Sequence, residues 1–188
     1  MKVIIGTDIG TSGVKVLAVD ENCRVVGSNV TEYPIYTPNP GWTEQNPDDW
    51  WNAAAAGLKK LIPQLSGYEI AGVGLSGQMH GMVALDAENR VVRPAILWND
   101  QRTEKQCKEI ISAAGGLDSL ISMTNNGMLT GFTAGKILWM KENEPENWKR
   151  ISLFLTPNQY VAYHLTGEIA IDRTSAGNLG GIFDYERN

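Results

Sequence analysis

Apolar and polar residues alternate through the first thirty positions, the period of strands with one face turned inward. Val3 to Asp8 and Val14 to Val19 carry this pattern, and a third run from Arg24-Val25-Val26 continues towards Tyr33. Gly10–Gly13 and Asp20-Glu21-Asn22 separate the runs, so three consecutive strands joined by short turns predict an antiparallel meander. Pro34, Pro38 and Pro40 then hold an extended loop. Next comes a helix, with Asn46 as N-cap, Pro47 at its first position, and Asp48 and Asp49 at the positive end of its dipole. Trp51, Ala54, Ala55, Leu58 and Leu61/Ile62 recur at spacings of three and four and predict its apolar face. Pro63 ends it.

Beyond the helix, Ile70–Leu75 predicts a short buried strand. Met82–Leu85 and Arg90–Val92 flank an Asp-Ala-Glu-Asn turn as a second hairpin, and Ala95–Trp98 is another short strand. Cys107, Ile110, Ile111 and Ala114 form a helical stripe that stops at Gly115-Gly116. Thr133 is the expected cap of a helix carrying Ile137, Leu138 and Met140. Leu153–Leu155 is a strand, and Asn158–Leu165 a helix closed by Gly167. Ile169–Asp172 and Leu179–Tyr185 read as strands. Strands and helices in this order predict an α/β domain with a mixed sheet.

With 43% apolar and 20% charged residues, the 188-residue chain can bury a core. Sixteen basic and twenty-one acidic side chains give a net charge of −5 without a basic cluster, which argues against a nucleic-acid partner. No apolar stretch of membrane-spanning length occurs, and the apolar start is too short for a secretion signal. The expectation is a cytoplasmic protein. Cys23 and Cys107 fit neither zinc nor redox spacing; a disulfide between them is open, but two sheltered thiols suit the compartment better.

Three segments carry candidate chemistry. In Gly6-Thr7-Asp8-Ile9-Gly10-Thr11-Ser12-Gly13-Val14-Lys15, a carboxylate ends the first strand and a turn rich in glycine and hydroxyls follows. Such a turn can present backbone N–H groups and two hydroxyls to phosphate oxygens, with Asp8 near Mg²⁺ and Lys15 adding positive charge. The same residues also suit a plain hairpin turn capped by Asp8. Gly72-Val73-Gly74-Leu75-Ser76-Gly77 matches the dinucleotide fingerprint in letters only. Its glycines lie within a strand, a hairpin rather than a helix follows, and Asp86 is too close to be the ribose acid. Gln78, Met79 and His80 end that strand, and Trp98-Asn99-Asp100 follows further on. Polar groups beside an aromatic wall suit a sugar or polyol. His164, on a predicted helix, reads as structural, as do Trp50 and Trp51.

At these residues the chain resembles the FGGY carbohydrate kinases, most closely their xylulokinase branch. The carriers are Asp8–Lys15, Gly41-Trp42-Thr43-Glu44-Gln45 with Trp50-Trp51, Gly77–Gly81, Pro94–Asp100, and Gly131–Met140 as the family's first signature segment. The resemblance implies an actin/hexokinase-like (ribonuclease H-like) fold and transfer of the ATP γ-phosphoryl group to a sugar hydroxyl. D-xylulose is the first expectation; L-xylulose, ribulose, gluconate, glycerol and a non-catalytic sugar-binding module are the alternatives. Asp8 would serve Mg²⁺, and Gly10, Thr11, Ser12, Gly13 and Lys15 the ATP phosphates. Gln78, Met79 and His80, with Asn99 and Asp100, would contact the sugar. Met79-His80 stands where glycerol kinases carry Arg-Glu, which moves the expectation from glycerol to a ketopentose. The resemblance makes residues 1–188 the sugar side of an N-terminal domain. The general base, in a Gly-Gly-Asp-type segment, and the C-terminal ATP-binding half would then lie outside the chain. A homodimer stays open.

Overall fold

A computed structural model describes residues 1–177, 179, 180 and 182. Strands β1 (Lys2–Ile9), β2 (Gly13–Asp20) and β3 (Val25–Glu32) form the expected antiparallel meander. Helix α1 (Pro47–Leu61) returns the chain to the start of β5 (Glu69–Gly77), which pairs parallel with β1 and completes a mixed sheet in the order β3-β2-β1-β5. The meander thus sets the antiparallel half of the sheet, and the helical crossover sets the parallel half.

The Asn46 side chain accepts the Asp48 N–H, Pro47 opens α1, and Lys59 and Lys60 occupy its last turn. Its inward face differs from the predicted stripe. Trp50, Ala53, Ala54, Gly57 and Leu61 are buried, whereas Trp51 lies half-buried against His164, their rings stacked 5.1 Å apart. One side of the sheet (Val3, Ile5, Ile9, Val14, Val16 and Ala18) packs on this face to form the main core. Its other side is open. β5 departs accordingly from the buried strand expected, with Ile70 42% and Val73 52% exposed. β-branched residues mark a strand without telling whether anything covers it.

The rest of the chain wraps the ends of this layer. β4 (Glu44–Gln45) pairs with β7 (Ala95–Ile96), and β6 (Val83–Leu85) with β8 (Leu153–Leu155). The predicted second hairpin is reduced to a single bridge, Leu85 with Val91. Helices α2 (Glu104–Ala113), α4 (Thr133–Asn143) and α6 (Pro157–Thr166) lie where the pattern put helices. Two short ones, α3 (Leu117–Thr124) and α5 (Pro145–Trp148), were not predicted. Thr133 is the first residue of α4 rather than its cap; that position belongs to Phe132, and the Thr133 hydroxyl bonds elsewhere. Ile169–Asp172 is not a strand. Asp172 instead accepts the Ser175 N–H at the start of α7 (Arg173–Gly177). Most of the strand expected over Leu179–Tyr185 lies outside the described residues. Both cysteines are free thiols, Cys107 buried and Cys23 exposed in a turn, which corrects the expectation that both are sheltered. Among the described residues no helix is long and apolar enough to cross a membrane.

Candidate active site

Because β1 and β5 run parallel, their carboxyl ends release the chain at one edge of the sheet, the usual place for a site in such sheets. Asp8 and Gly10–Thr11 leave β1 there, and Gly77–His80 leave β5. Together with Trp98 these residues line one cleft of about 450 Å³. Asp8 is exposed. It sits in register with Lys15 on β2 and Ser76 on β5, so these three side chains share the open face.

The Gly10–Gly13 turn is held from all sides. The Gly10 N–H donates to Gly13 O (3.0 Å) and the Tyr33 N–H to Ser12 O (3.3 Å), bonds that close the turn and tie it to the start of the loop after β3. The Tyr33 hydroxyl donates to Gly10 O. Burial, with the nearby Asp8 charge second, raises the Tyr33 pKa, so the phenol stays a donor. Trp98 Nε1 donates to Thr11 Oγ1 (3.1 Å), binding the aromatic wall to the turn.

Gln45 joins the two halves of the cleft. Fully buried, it donates from Nε2 to Thr11 O (2.7 Å) and Pro34 O (3.2 Å). Its Oε1 accepts from Trp50 Nε1 (3.0 Å) and Gln78 Nε2 (3.0 Å). One amide thereby fixes the Gly10–Gly13 turn, helix α1 and the end of β5. No periodicity marks Gln45 in the sequence, since it lies on a two-residue strand and acts through tertiary bonds.

Gln78 continues β5 by donating its N–H to Ile9 O (2.7 Å), and its buried Oε1 is left without a partner. Met79 is exposed, and His80 adopts a left-handed backbone, φ 63°. Its ring packs on Phe132 at 4.7 Å. A close approach of backbone occurs at Gly77, where a Cβ would lie 3.0 Å from the Ile9 Cβ and carbonyl oxygen. His164 does not line this cleft; its ring is packed among Trp51, Tyr160 and Tyr163.

Asn99 and Asp100 do not line the cleft either. Asn99 is half-buried, with Oδ1 buried and unpartnered. Asp100 is 0% exposed and turns inward. Its oxygens accept the Thr43 N–H (2.6 Å), the Arg102 N–H (2.9 Å) and the Arg102 guanidinium (2.9 and 2.8 Å). The expected sugar contact does not fit this geometry, because every donor on Asp100 belongs to the protein. Arg102 also pairs with Glu44 (2.7 Å) and lies 3.7 Å over the Trp42 ring. The network clamps residues 42–45 to the segment that carries Trp98.

A second unforeseen residue is Lys136, 0% exposed on α4. Its Nζ donates to His80 O (2.6 Å) and Gly131 O (2.5 Å). A signal was available: Lys136 follows Thr133 by three and precedes Met140 by four, on the inward stripe, where an ammonium needs buried acceptors. Burial pushes its pKa down to about 7, against the attraction of Asp100. An unfolded lysine stays charged to about pH 10.4, so between pH 7 and 10 the unfolded chain binds more protons, and stability gained from this group rises with pH. The melting temperature of the wild type relative to Lys136→Met should therefore climb from pH 7 to pH 10. A flat difference in melts across that range would refute the buried amine.

The family model for the N-terminal domain of the FGGY family of carbohydrate kinases matches residues 3–185. Among curated relatives, the chain is 42% identical over 178 residues to the xylulose kinase of Bacillus subtilis, covering 94% of this chain and 35% of that protein. It is 43% identical over 190 residues to the xylulose kinase of Lactococcus lactis, covering 100% of this chain and 37% of that protein. The solved xylulose kinase of Rhodospirillum rubrum superposes with a TM-score of 0.92 at 28% identity, over 98% of this chain and 38% of that one. The shared architecture is actin/hexokinase-like. The chain thus spans little more than a third of the relatives it matches. With its mixed sheet and strand-end cleft matched from Val3 nearly to its last residue, the chain belongs to the FGGY family of carbohydrate kinases and carries that family's N-terminal domain.

Proposed function

We propose that this chain is the sugar-binding N-terminal part of an ATP-dependent kinase that converts D-xylulose to D-xylulose 5-phosphate in the cytoplasm. The observation that carries the reading is the juxtaposition of Met79-His80 with the Asp8 turn in one cleft. His80 and Gln78 line the cleft as the polar residues that would meet a ketose hydroxyl, and Met79 and Trp98 give the apolar surface against which a sugar face can lie.

The residues fit Mg²⁺ and ATP. Among the described residues no three acidic, His or Cys side chains gather. That suits Mg²⁺, which takes one or two carboxylates and completes its shell with water and phosphate oxygens. Asp8 would hold it. When bound, Mg²⁺-ATP supplies a γ-phosphoryl group whose charge is partly neutralised. The Thr11 and Ser12 amides and hydroxyls, in the tight turn from Gly10 to Gly13, would hold phosphate oxygens, and Lys15 would add positive charge from the next strand. The sugar-side residues fix the acceptor hydroxyl so that its oxygen attacks phosphorus as the bond to ADP breaks. Its proton passes to a base that this reading assigns to a Gly-Gly-Asp segment of the partner half of the enzyme, outside residues 1–188.

ADP release from the complete kinase, measured across D-xylulose, L-xylulose, D-ribulose, glycerol and gluconate, tests the reading. D-xylulose should give the highest kcat/KM by about tenfold or more, the discrimination that ~1.4 kcal/mol supplies. A preference of that size for another sugar sinks the assignment of substrate. Sugar-induced stabilisation without ADP release would instead leave a binding module.

A further inference from the structure

We infer that Lys136 is a positioning residue for the sugar site, holding the His80 carbonyl so that the left-handed backbone of His80 keeps its imidazole in the cleft. The inference rests on the proposed sugar contact of His80. Positive φ is costly for a residue with a Cβ and persists only where the surroundings over-determine it. At His80 (φ 63°) they do. Its carbonyl accepts Lys136 Nζ at 2.6 Å and Thr133 Oγ1 at 3.2 Å, and its ring rests on Phe132. These three contacts come from the first turn of α4 and the residue before it, and they join the helix start to the sugar loop.

Lys136 adds a second link. The same Nζ donates to Gly131 O, and a Cβ on Gly131 would sit 2.4 Å from Trp98 O. The amine therefore spans the loop that carries His80 and the backbone that abuts Trp98, two walls of the cleft. The lysine side chain has the length this span requires, reaching two carbonyls from α4 while staying wholly buried. The charged groups facing it are Asp100 and Arg102 from the segment after β7, and the titratable Cys107 thiol, kept neutral by burial, faces it from α2. Above pH 7 the neutral amine keeps two N–H donors for its two acceptors, so the tether survives loss of the charge.

In the complete kinase, Lys136→Met should raise the KM for D-xylulose about tenfold, since breaking one buried bond of this kind is enough for that factor. The KM for Mg²⁺-ATP should stay within about twofold, because the amine touches nothing on the phosphate turn. Thr133→Val, close to isosteric, removes the weaker donor to the same carbonyl and should raise the sugar KM about threefold. Equal changes in both constants, or none in either variant, would overturn the inference, and Thr133→Val alone decides it if Lys136→Met does not fold. The His80 ring signal in NMR, assigned by its loss in His80→Gln, gives a reading that needs no sugar. It should shift in Lys136→Met and Thr133→Val; an unmoved signal overturns the positioning role whichever sugar is the substrate. A kinase that ignores D-xylulose but shows the shifted signal would sink the proposed substrate and leave the tether standing.

Discussion

Asp8→Asn should lower kcat of the complete kinase by about 10²–10³-fold, the cost of removing one charge-stabilising group from a transition state, or ~2.7–4 kcal/mol. The substitution keeps the size and the hydrogen-bonding reach of the side chain and removes only its charge. Asp8 is exposed at the end of β1, between Lys15 and Ser76 on the open face of the sheet. A surface change of this kind moves stability by about 0.5 kcal/mol or less. Activity should therefore collapse while the melting curve stays in place. Raising Mg²⁺ should recover part of the loss if the carboxylate serves the cation. A variant that keeps more than about a tenth of wild-type kcat would remove Asp8 from the chemistry.

Gln45→Ala should have the opposite signature, with stability and activity falling together. Four hydrogen bonds converge on this amide, from Thr11, Pro34, Trp50 and Gln78, and the side chain is fully buried. Truncation leaves the Trp50 and Gln78 N–H donors buried without an acceptor, each costing about 1–3 kcal/mol unless water enters, and frees the partly buried carbonyls of Thr11 and Pro34. The net loss should be about 3–5 kcal/mol, at the upper end for a point substitution. Denaturant titration of the wild type and variant measures it; Gln45→Leu, similar in volume but without the amide, separates lost packing from lost hydrogen bonds. In the folded variant, KM for the sugar and for Mg²⁺-ATP should both rise, since Thr11 and Gln78 lose a common anchor. A loss under about 1 kcal/mol would show that the hub is dispensable.

These residues mark where the sequence was and was not legible. The meander was plain because its alternation and its glycine and Asp-Glu-Asn turns agree with one another. Helix α1 was plain because Asn46, Pro47 and the two aspartates form a complete start signal. Asp8, the Gly10–Gly13 turn and Gln78–His80 were legible as candidates because they stand at strand ends, where side chains leave the ladder, and the structure brings them to one cleft. The resemblance placed Asp100 among the sugar contacts, whereas the structure spends it on Arg102 and Thr43; a carboxylate beside an arginine carries no mark of which way it faces. Gln45 and Lys136 escaped for a related reason. Their partners are backbone carbonyls and amides distant in sequence, and every residue type offers those. Thr133 misled by being a good cap residue whose hydroxyl had a better use. Ile169–Asp172 misled because apolar residues in so short a segment are compatible with a strand, a helix start or neither.

The two walls of the cleft hang from neighbouring strands, and beyond the strand ladder the amide of Gln45, the bond from Gln78 Nε2 to Gly10 O and the Trp98–Thr11 bond link them. Met79 packs into neither wall's core and stands exposed. A substitution at Met79 therefore leaves the core of the main sheet in place, whereas His80 is tied to the start of α4 by its carbonyl and its ring. Change at position 79 is then cheap in this architecture, while the Gly10–Gly13 turn, pinned by Tyr33, Gln45 and Trp98 at once, has little room to drift.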